Sequence, residues 1–141
     1  MSDPQTMRKT IKLIESLDRL VEDNTEWNSQ SYPDGVITYS TSFDNIDIIV
    51  DYKLLDDDTS EYSMSYTIRG RNARNAKVML KATKEILNQF ESWIEDNQPD
   101  NVSLIKDPNI TLNGLRIQRI AQANGYTFSK QYDKFVLSKS M

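Results

Sequence analysis

The chain of 141 residues contains no cysteine and no histidine. That pair of absences removes disulfide staples, thiol nucleophiles, imidazole general bases, Ser-His-Asp triads and every ordinary zinc site at once. Chemistry here must come from carboxylates, tyrosine, serine or threonine hydroxyls, lysine, arginine or backbone amides. Glycine and proline are sparse at four each, and no repeat or low-complexity linker divides the chain. It is therefore expected to fold as a single domain over residues 1–141. A domain of this size buries roughly 68–70% of the surface its unfolded chain exposes. No apolar run approaches the ~20 residues of a membrane span, and no signal-peptide pattern opens the sequence. The expectation is a cytoplasmic protein without a membrane partner.

Net charge is −4, which argues against nucleic acid as a partner, because non-specific affinity for it is mostly phosphate neutralisation. The charge is unevenly spread. Residues 1–66 carry 5 basic and 14 acidic side chains, whereas residues 67–141 carry 12 basic and 7 acidic. A dipolar surface of this kind can orient a charged ligand or a second copy of the protein.

Periodicity supplies the elements. Ser2 or Asp3 can cap a helix over residues 1–24 in which Met7, Ile11, Ile14, Leu17 and Val21 recur at helical spacing. Thr25 to Gln30 is a polar connection apart from Trp27, and Tyr32-Pro33-Asp34-Gly35 is a turn, with Pro fixing φ and Gly accepting positive φ. Strands are expected at residues 36–42, 46–54 and 62–68, the last two forming a hairpin. Ile46, Ile48, Val50, Tyr52 and Leu54 share one face of the second strand, and Tyr62, Met64, Tyr66 and Ile68 alternate along the third. A long helix over 75–96 carries its apolar side on Val78, Met79, Ala82, Ile86, Phe90, Trp93 and Ile94. Lys77, Lys81 and Lys84 lie nearly opposite and are expected to face solvent. A short strand (102–106), a second helix (112–124) closed by Gly125, and strands at 126–129 and 135–138 complete an α+β domain with helices on a mostly antiparallel, mixed sheet.

Two segments carry a family likeness. Arg71-Asn72-Ala73-Arg74-Asn75-Ala76 stands between the third strand and the long helix, and Ile120-Ala121-Gln122-Ala123-Asn124-Gly125-Tyr126 closes the second helix. In this order and spacing, the region 36–138 resembles the GNAT superfamily of acyl-CoA-dependent N-acyltransferases, with the element order α-β-β-β-α-β-α-β-β. The first segment matches that family's phosphate-cradling R/Q-x-x-G-x-G/A loop and the second its L-Y-x-x-x-G-F/Y helix end. The resemblance implies a cofactor site at Arg71, Arg74, Asn75, Ala76 and Lys77, where loop amides and a helix amino end would meet the pyrophosphate of acetyl-CoA or CoA. Two positions depart from the pattern. Arg74 replaces a glycine that lets the backbone approach phosphate, although a guanidinium can itself bind phosphate, and Ala121 replaces the tyrosine that protonates the leaving thiolate. The resemblance thus implies a GNAT-like domain without acyl transfer and with no cofactor, acting by self-association or on a protein partner. The alternative is an acyltransferase with altered catalytic residues, whose base would be Glu61, Asp51 or Tyr66 and whose acid would be Tyr126 or Tyr132.

The remaining constellations are weak. Asp56, Asp57, Asp58 and Glu61 lack the spacing and turn glycine of a calcium loop, so no metal site is expected. Trp27 and Tyr32, aromatic side chains in a polar connection, are candidate anchors for a protein partner. The Asn/Asp/Ser/Lys-rich style and the opening Met1-Ser2-Asp3-Pro4-Gln5 look like small proteins of large tailed bacteriophages, which would place the chain in a host cytoplasm.

Overall fold

A computed structural model describes residues 25–139; the helix expected over residues 1–24 lies outside the described residues. The elements are β1 (Asn28–Ser31), β2 (Val36–Phe43), β3 (Ile46–Asp56), β4 (Glu61–Gly70), α1 (Ala76–Asn97), β5 (Asn101–Ile105), α2 (Gly114–Ala123), β6 (Tyr126–Lys130) and β7 (Lys134–Lys139). The strands form one mixed sheet in the order β1-β2-β3-β4-β5-β7-β6. Every neighbouring pair is antiparallel except β4 and β5. This is the expected α+β class, and from Val36 onward the element order is the expected one.

The period of two decides which face each strand buries. Ile46, Ile48, Val50 and Tyr52 on β3 are essentially inaccessible, as are Met64 on β4, Val102 and Leu104 on β5 and Leu137 on β7. Register puts them on one face, with Val50 opposite Tyr66, Met64 opposite Leu104 and Leu104 opposite Phe135. The alternate positions, including Asp47, Asp51, Lys53, Ser65, Thr67 and Arg69, lie on the other face.

Both helices cover the apolar face. α1 buries Ala82, Ile86, Leu87, Phe90, Trp93 and Ile94, and α2 buries Ile117, Ile120 and Ala121. They run side by side in the same direction. Arg116, in the first turn of α2, donates to Lys84 O and to Asn88, whereas Gln98 at the end of α1 donates to Asn124 just past α2. The core holds an aromatic stack in which Tyr52 lies on Trp93 at 4.0 Å between centroids and Tyr62 meets the same indole edge-on. Among the described residues, no helix is long and apolar enough to cross a membrane.

Two details differ from the sequence reading. Part of the polar connection after residue 25 is the edge strand β1, paired through Asn28↔Ser40 to Ser31↔Ile37. An edge strand on this side needs only backbone partners, and the Tyr32–Gly35 turn supplies them by folding the chain back: Tyr32 N donates to Val36 O, and Gly35 takes φ +85°. The second difference is the start of α2. Leu112 is buried but precedes the helix, because Asn113 caps it.

Candidate functional site

The loop that the family likeness singles out begins where β3 and β4 close together. Gly70 adopts φ +127°, and a Cβ there would stand 2.4 Å from Asn45 O; only glycine fits without moving the backbone. Asn72 Nδ2 then donates to Asp44 O, and Asn75 N donates to Asn72 O, which holds the turn before α1.

Asn75 is the cap of α1. Its Oδ1 accepts from Lys77 N at 3.0 Å and from Val78 N at 3.2 Å. A helix start offers its first amides to whatever acceptor is present, and here a side chain of the chain itself takes two of them. Of the amides at residues 75–77, that of Ala76 alone is without an acceptor among the described residues. Arg71, Arg74, Asn75, Ala76 and Lys77 are all exposed. The two arginines flank different surfaces, Arg71 beside Ser42, Phe43 and Asp47, and Arg74 beside Met79, Leu80, Thr83, Ile110 and Thr111.

A second feature lies next to this corner and was not read from the sequence. β4 and β5 pair over four residues only, from Glu61↔Asn101 to Met64↔Leu104, after which β4 runs on to Gly70 while β5 ends at Ile105. The segment after β5 enters the opening. Tyr66 Oη accepts from Asp107 N at 3.2 Å, and Ile110 and Leu112 are buried. A groove of about 560 Å³ lies alongside, bordered by Tyr66, Lys106, Ile110, Leu112, Tyr132 and Phe135. Ile110 and Thr111 also border the Arg74 surface, so the two depressions meet at these two residues. Lys106 Nζ is held over the Phe135 ring and donates to Gln131 O at 2.6 Å. In the sequence, the only sign of this groove is Pro108, which stops the strand and starts the inserted segment.

The candidate acid and base residues are dispersed. Burial pushes the Tyr66 hydroxyl above the usual tyrosine value, the Asp107 amide opposes that, and the Asp107 carboxylate adds to it; a neutral phenol results, not a base. Asp51 lies on the face away from the helices and accepts from Thr38 at 2.6 Å. Glu61 starts β4, at the far end of that strand from Gly70. Tyr126 is buried, donates to Pro99 O, and is pushed up to about 12 by burial and by the Asp100 charge. Tyr132 is 99% exposed at the β6–β7 turn, and Ala121 is completely buried with no proton to give.

Other positions resolve plainly. Lys77 and Lys84 are exposed, but Lys81 is half-buried over the Phe43 ring and 3.8 Å from Asp44. Trp27 packs against the core, while Tyr32 is 43% exposed. Gln89, on a helix position that reads as polar, is buried and accepts from the Tyr52 hydroxyl at 2.6 Å. Asp56 at the β3–β4 tip accepts from Asp58 N.

No family model and no curated protein matches this chain in sequence. Among solved structures it is similar to the ribosomal-protein-S5-alanine acetyltransferase from Vibrio fischeri, at 9% identity and TM-score 0.39, over 89% of this chain and 67% of that one. It is similar also to a spermidine N-acetyltransferase chimera from Vibrio cholerae, at 10% identity and TM-score 0.38, over 89% of this chain and 72% of that one. Likeness at this level carries nothing about activity; the architecture stands on sheet order and helix placement.

Proposed function

We propose that this chain is a GNAT-like domain that does not transfer acyl groups and acts by binding, to a protein partner or to itself. The observation that carries the reading is the Asn75 cap: its side chain occupies the Lys77 and Val78 amides at the corner where a cofactor pyrophosphate would need free N–H groups. With Asn75 turned inward, the helix start offers a pyrophosphate little beyond the Ala76 amide, which speaks against the cofactor. Arg74 in the glycine position and the buried Ala121 support the same reading, as does the scatter of the candidate acids and bases. A small binding protein also suits the compositional likeness to tailed-phage proteins and a host cytoplasm.

Isothermal titration with acetyl-CoA and with CoA tests this directly. The expected result is no binding in the micromolar range and no detectable acetyl transfer to small amines or protein lysines. Micromolar binding, or turnover near ~1 s⁻¹, the lower end of typical enzymes, would overturn it.

One observation favours the second reading, an acyltransferase with altered residues: the Arg74 surface and the groove at Tyr66 share Ile110 and Thr111 as lining. If a phosphorylated ligand occupies the Arg74 surface, Arg74→Ala costs on the order of 1.5–3 kcal/mol of affinity, the range for a charged hydrogen bond. An unchanged affinity in that variant places the ligand elsewhere.

A further inference from the structure

The described helices cover the apolar face of the sheet unevenly. α1 lies over β3 and β4, with Trp93 against Tyr52 and Tyr62, and α2 lies beyond it, with Gly114 against Phe135 of β7. On the other side of α1 the same face continues across β2, where register places Ile37, Tyr39, Thr41 and Phe43 beside Tyr52, Val50, Ile48 and Ile46. No described helix covers that strip. Trp27, Ile37, Tyr39 and Phe43 stay half-buried along it.

One flank of α1 forms the opposite wall of this strip. Lys81 lies over the Phe43 ring and Gln89 accepts from Tyr52. Burial, and after it the Asp96 charge, raises the Tyr39 hydroxyl above the usual tyrosine value, so Asp96 also faces β2. A depression of about 310 Å³ lies between the two walls, bordered by Trp27, Tyr39, Asn88, Gln89 and Ser92, with Thr25 at its rim. Thr25 borders the neighbouring depression at Phe43 and Lys81 as well. β1 runs antiparallel to β2 from Asn28 opposite Ser40, and Glu26 O accepts from Thr41, which brings Thr25 to the Phe43 end of the groove.

Residues 1–24 join the fold at that point, and their sequence spaces Met7, Ile11, Ile14, Leu17 and Val21 along one side of an expected helix. At about 1.5 Å per residue that stripe is roughly 21 Å long, and the flank of α1 from Lys81 to Asp96 is roughly 22 Å. Charge gives the direction. Residues 7–13 carry Arg8, Lys9 and Lys12 and no acid, whereas residues 14–24 carry Glu15, Asp18, Glu22 and Asp23 against Arg19. In α1, residues 76–84 carry Lys77, Lys81 and Lys84 and no acid, whereas residues 85–97 carry Glu85, Glu91, Glu95 and Asp96 and no base. Lys81 also pairs with Asp44, and Glu91 with Arg116, so the match is between halves and not between single ion pairs. Laid antiparallel to α1, each half of the segment faces its opposite; laid parallel, like charges meet. Antiparallel is also the direction in which a segment ending at the Phe43 end fills the groove.

We propose that residues 7–21 dock as a helix antiparallel to α1 in the groove between β2 and α1, with Met7, Ile11, Ile14, Leu17 and Val21 against Trp27, Tyr39 and Phe43. The occupant of this surface is the chain's own amino-terminal segment. This goes beyond the binding reading and does not rest on it. Trp27 is covered from within, so it is no anchor for another protein.

The chain has no cysteine, so a single introduced thiol carries the only nitroxide. Arg8→Cys and Arg19→Cys place it near either end of the stripe, on the polar side of the expected helix. Amide signals of the full chain are recorded with the nitroxide oxidised and then reduced. The Arg8→Cys label is expected to broaden Ser92 and Asp96 more than Lys81, and the Arg19→Cys label to broaden Lys81 and Phe43 more than Asp96. An equal or reversed order, broadening centred on Asp51 and Thr67 on the opposite face of the sheet, or no broadening along the groove would overturn the proposal. Mixing nitroxide-bearing chain without isotope into isotope-labelled wild type tells the chain's own segment from a neighbour's. The wild-type signals are expected to stay sharp; broadening at the groove would mean that a second copy supplies the segment, and would overturn the proposal too.

Discussion

The two helix starts look alike where a phosphate-binding loop would make them differ. Asn75 caps α1 through the amides of Lys77 and Val78, and Asn113 caps α2 through those of Leu115 and Arg116. The first start follows a loop resembling a phosphate cradle; the second follows an ordinary connection. Oδ1-to-amide distances are 3.0 and 3.2 Å at α1 and 3.1 and 3.2 Å at α2. A start built for an external anion would keep those amides free. At both starts these amides are satisfied from within by the capping asparagine. The difference between them lies in the surroundings of the nearby glycine, crowded against backbone at Gly70 and in ordinary contact with the Phe135 ring at Gly114.

That contrast gives the largest expected effect. Gly70→Ala combines a positive-φ strain with a clash against Asn45 O at 2.4 Å, each worth about 1–3 kcal/mol, for a loss of about 2–6 kcal/mol. Gly114→Ala places its methyl 3.5 Å from the Phe135 ring at an ordinary helical φ, and is expected to be neutral or to stabilise by about 0.4–1 kcal/mol. Urea denaturation of both variants checks the pair; equal effects would dissolve the distinction between a glycine pressed against backbone and one in ordinary contact.

Of intermediate size are the caps. Asn75→Ala and Asn113→Ala should each cost about 0.5–2 kcal/mol of stability. The comparison breaks if Asn75→Gly, which empties the same amides at little cost to the helix, raises the affinity for inorganic phosphate while Asn113→Gly does not. Phosphate titrations followed by amide chemical shifts would reveal that.

The smallest contrast is between the arginines beside each cap. Arg116 ties the start of α2 to Lys84 O and Asn88, so Arg116→Ala is expected to cost about 0.5–1.5 kcal/mol. Arg74 is exposed, and Arg74→Ala should stay within about 0.5 kcal/mol of wild type. A larger loss at Arg74, seen in the same denaturation series, would mean that its guanidinium braces the loop.

Strong alternation made the fold legible. Ile46 to Tyr52 and Tyr62 to Ile68 announce two strands with one shared face, and the wheel of α1 from Ala82 to Ile94 announces what covers it. β1 was not legible because Asn28-Ser29-Gln30-Ser31 has no apolar period and all four residues are exposed. The available signal was the Tyr32–Gly35 turn, which implies a strand on each side. The loop resembling a phosphate cradle was legible as a position but not as a state. Nothing in Arg71 to Ala76 says whether the Asn75 side chain turns inward to the helix or outward to a ligand. The groove at Tyr66 was hidden for another reason: Tyr66, Ile110 and Phe135 are far apart in sequence, and only the early parting of β4 from β5 brings them together.

That early parting also governs how the chain reaches its native state. β1 to β4 form neighbouring antiparallel pairs joined by tight turns, contacts that close over short loops and form early. β5 must find β4 with the whole of α1 in between, and it does so through four residue pairs, the one parallel seam in the sheet. Loop-closure entropy is spent there before much pairing rewards it. The search for that seam is therefore expected to be the slow step in folding, with the four strands β1 to β4 as the template on which the rest of the sheet assembles.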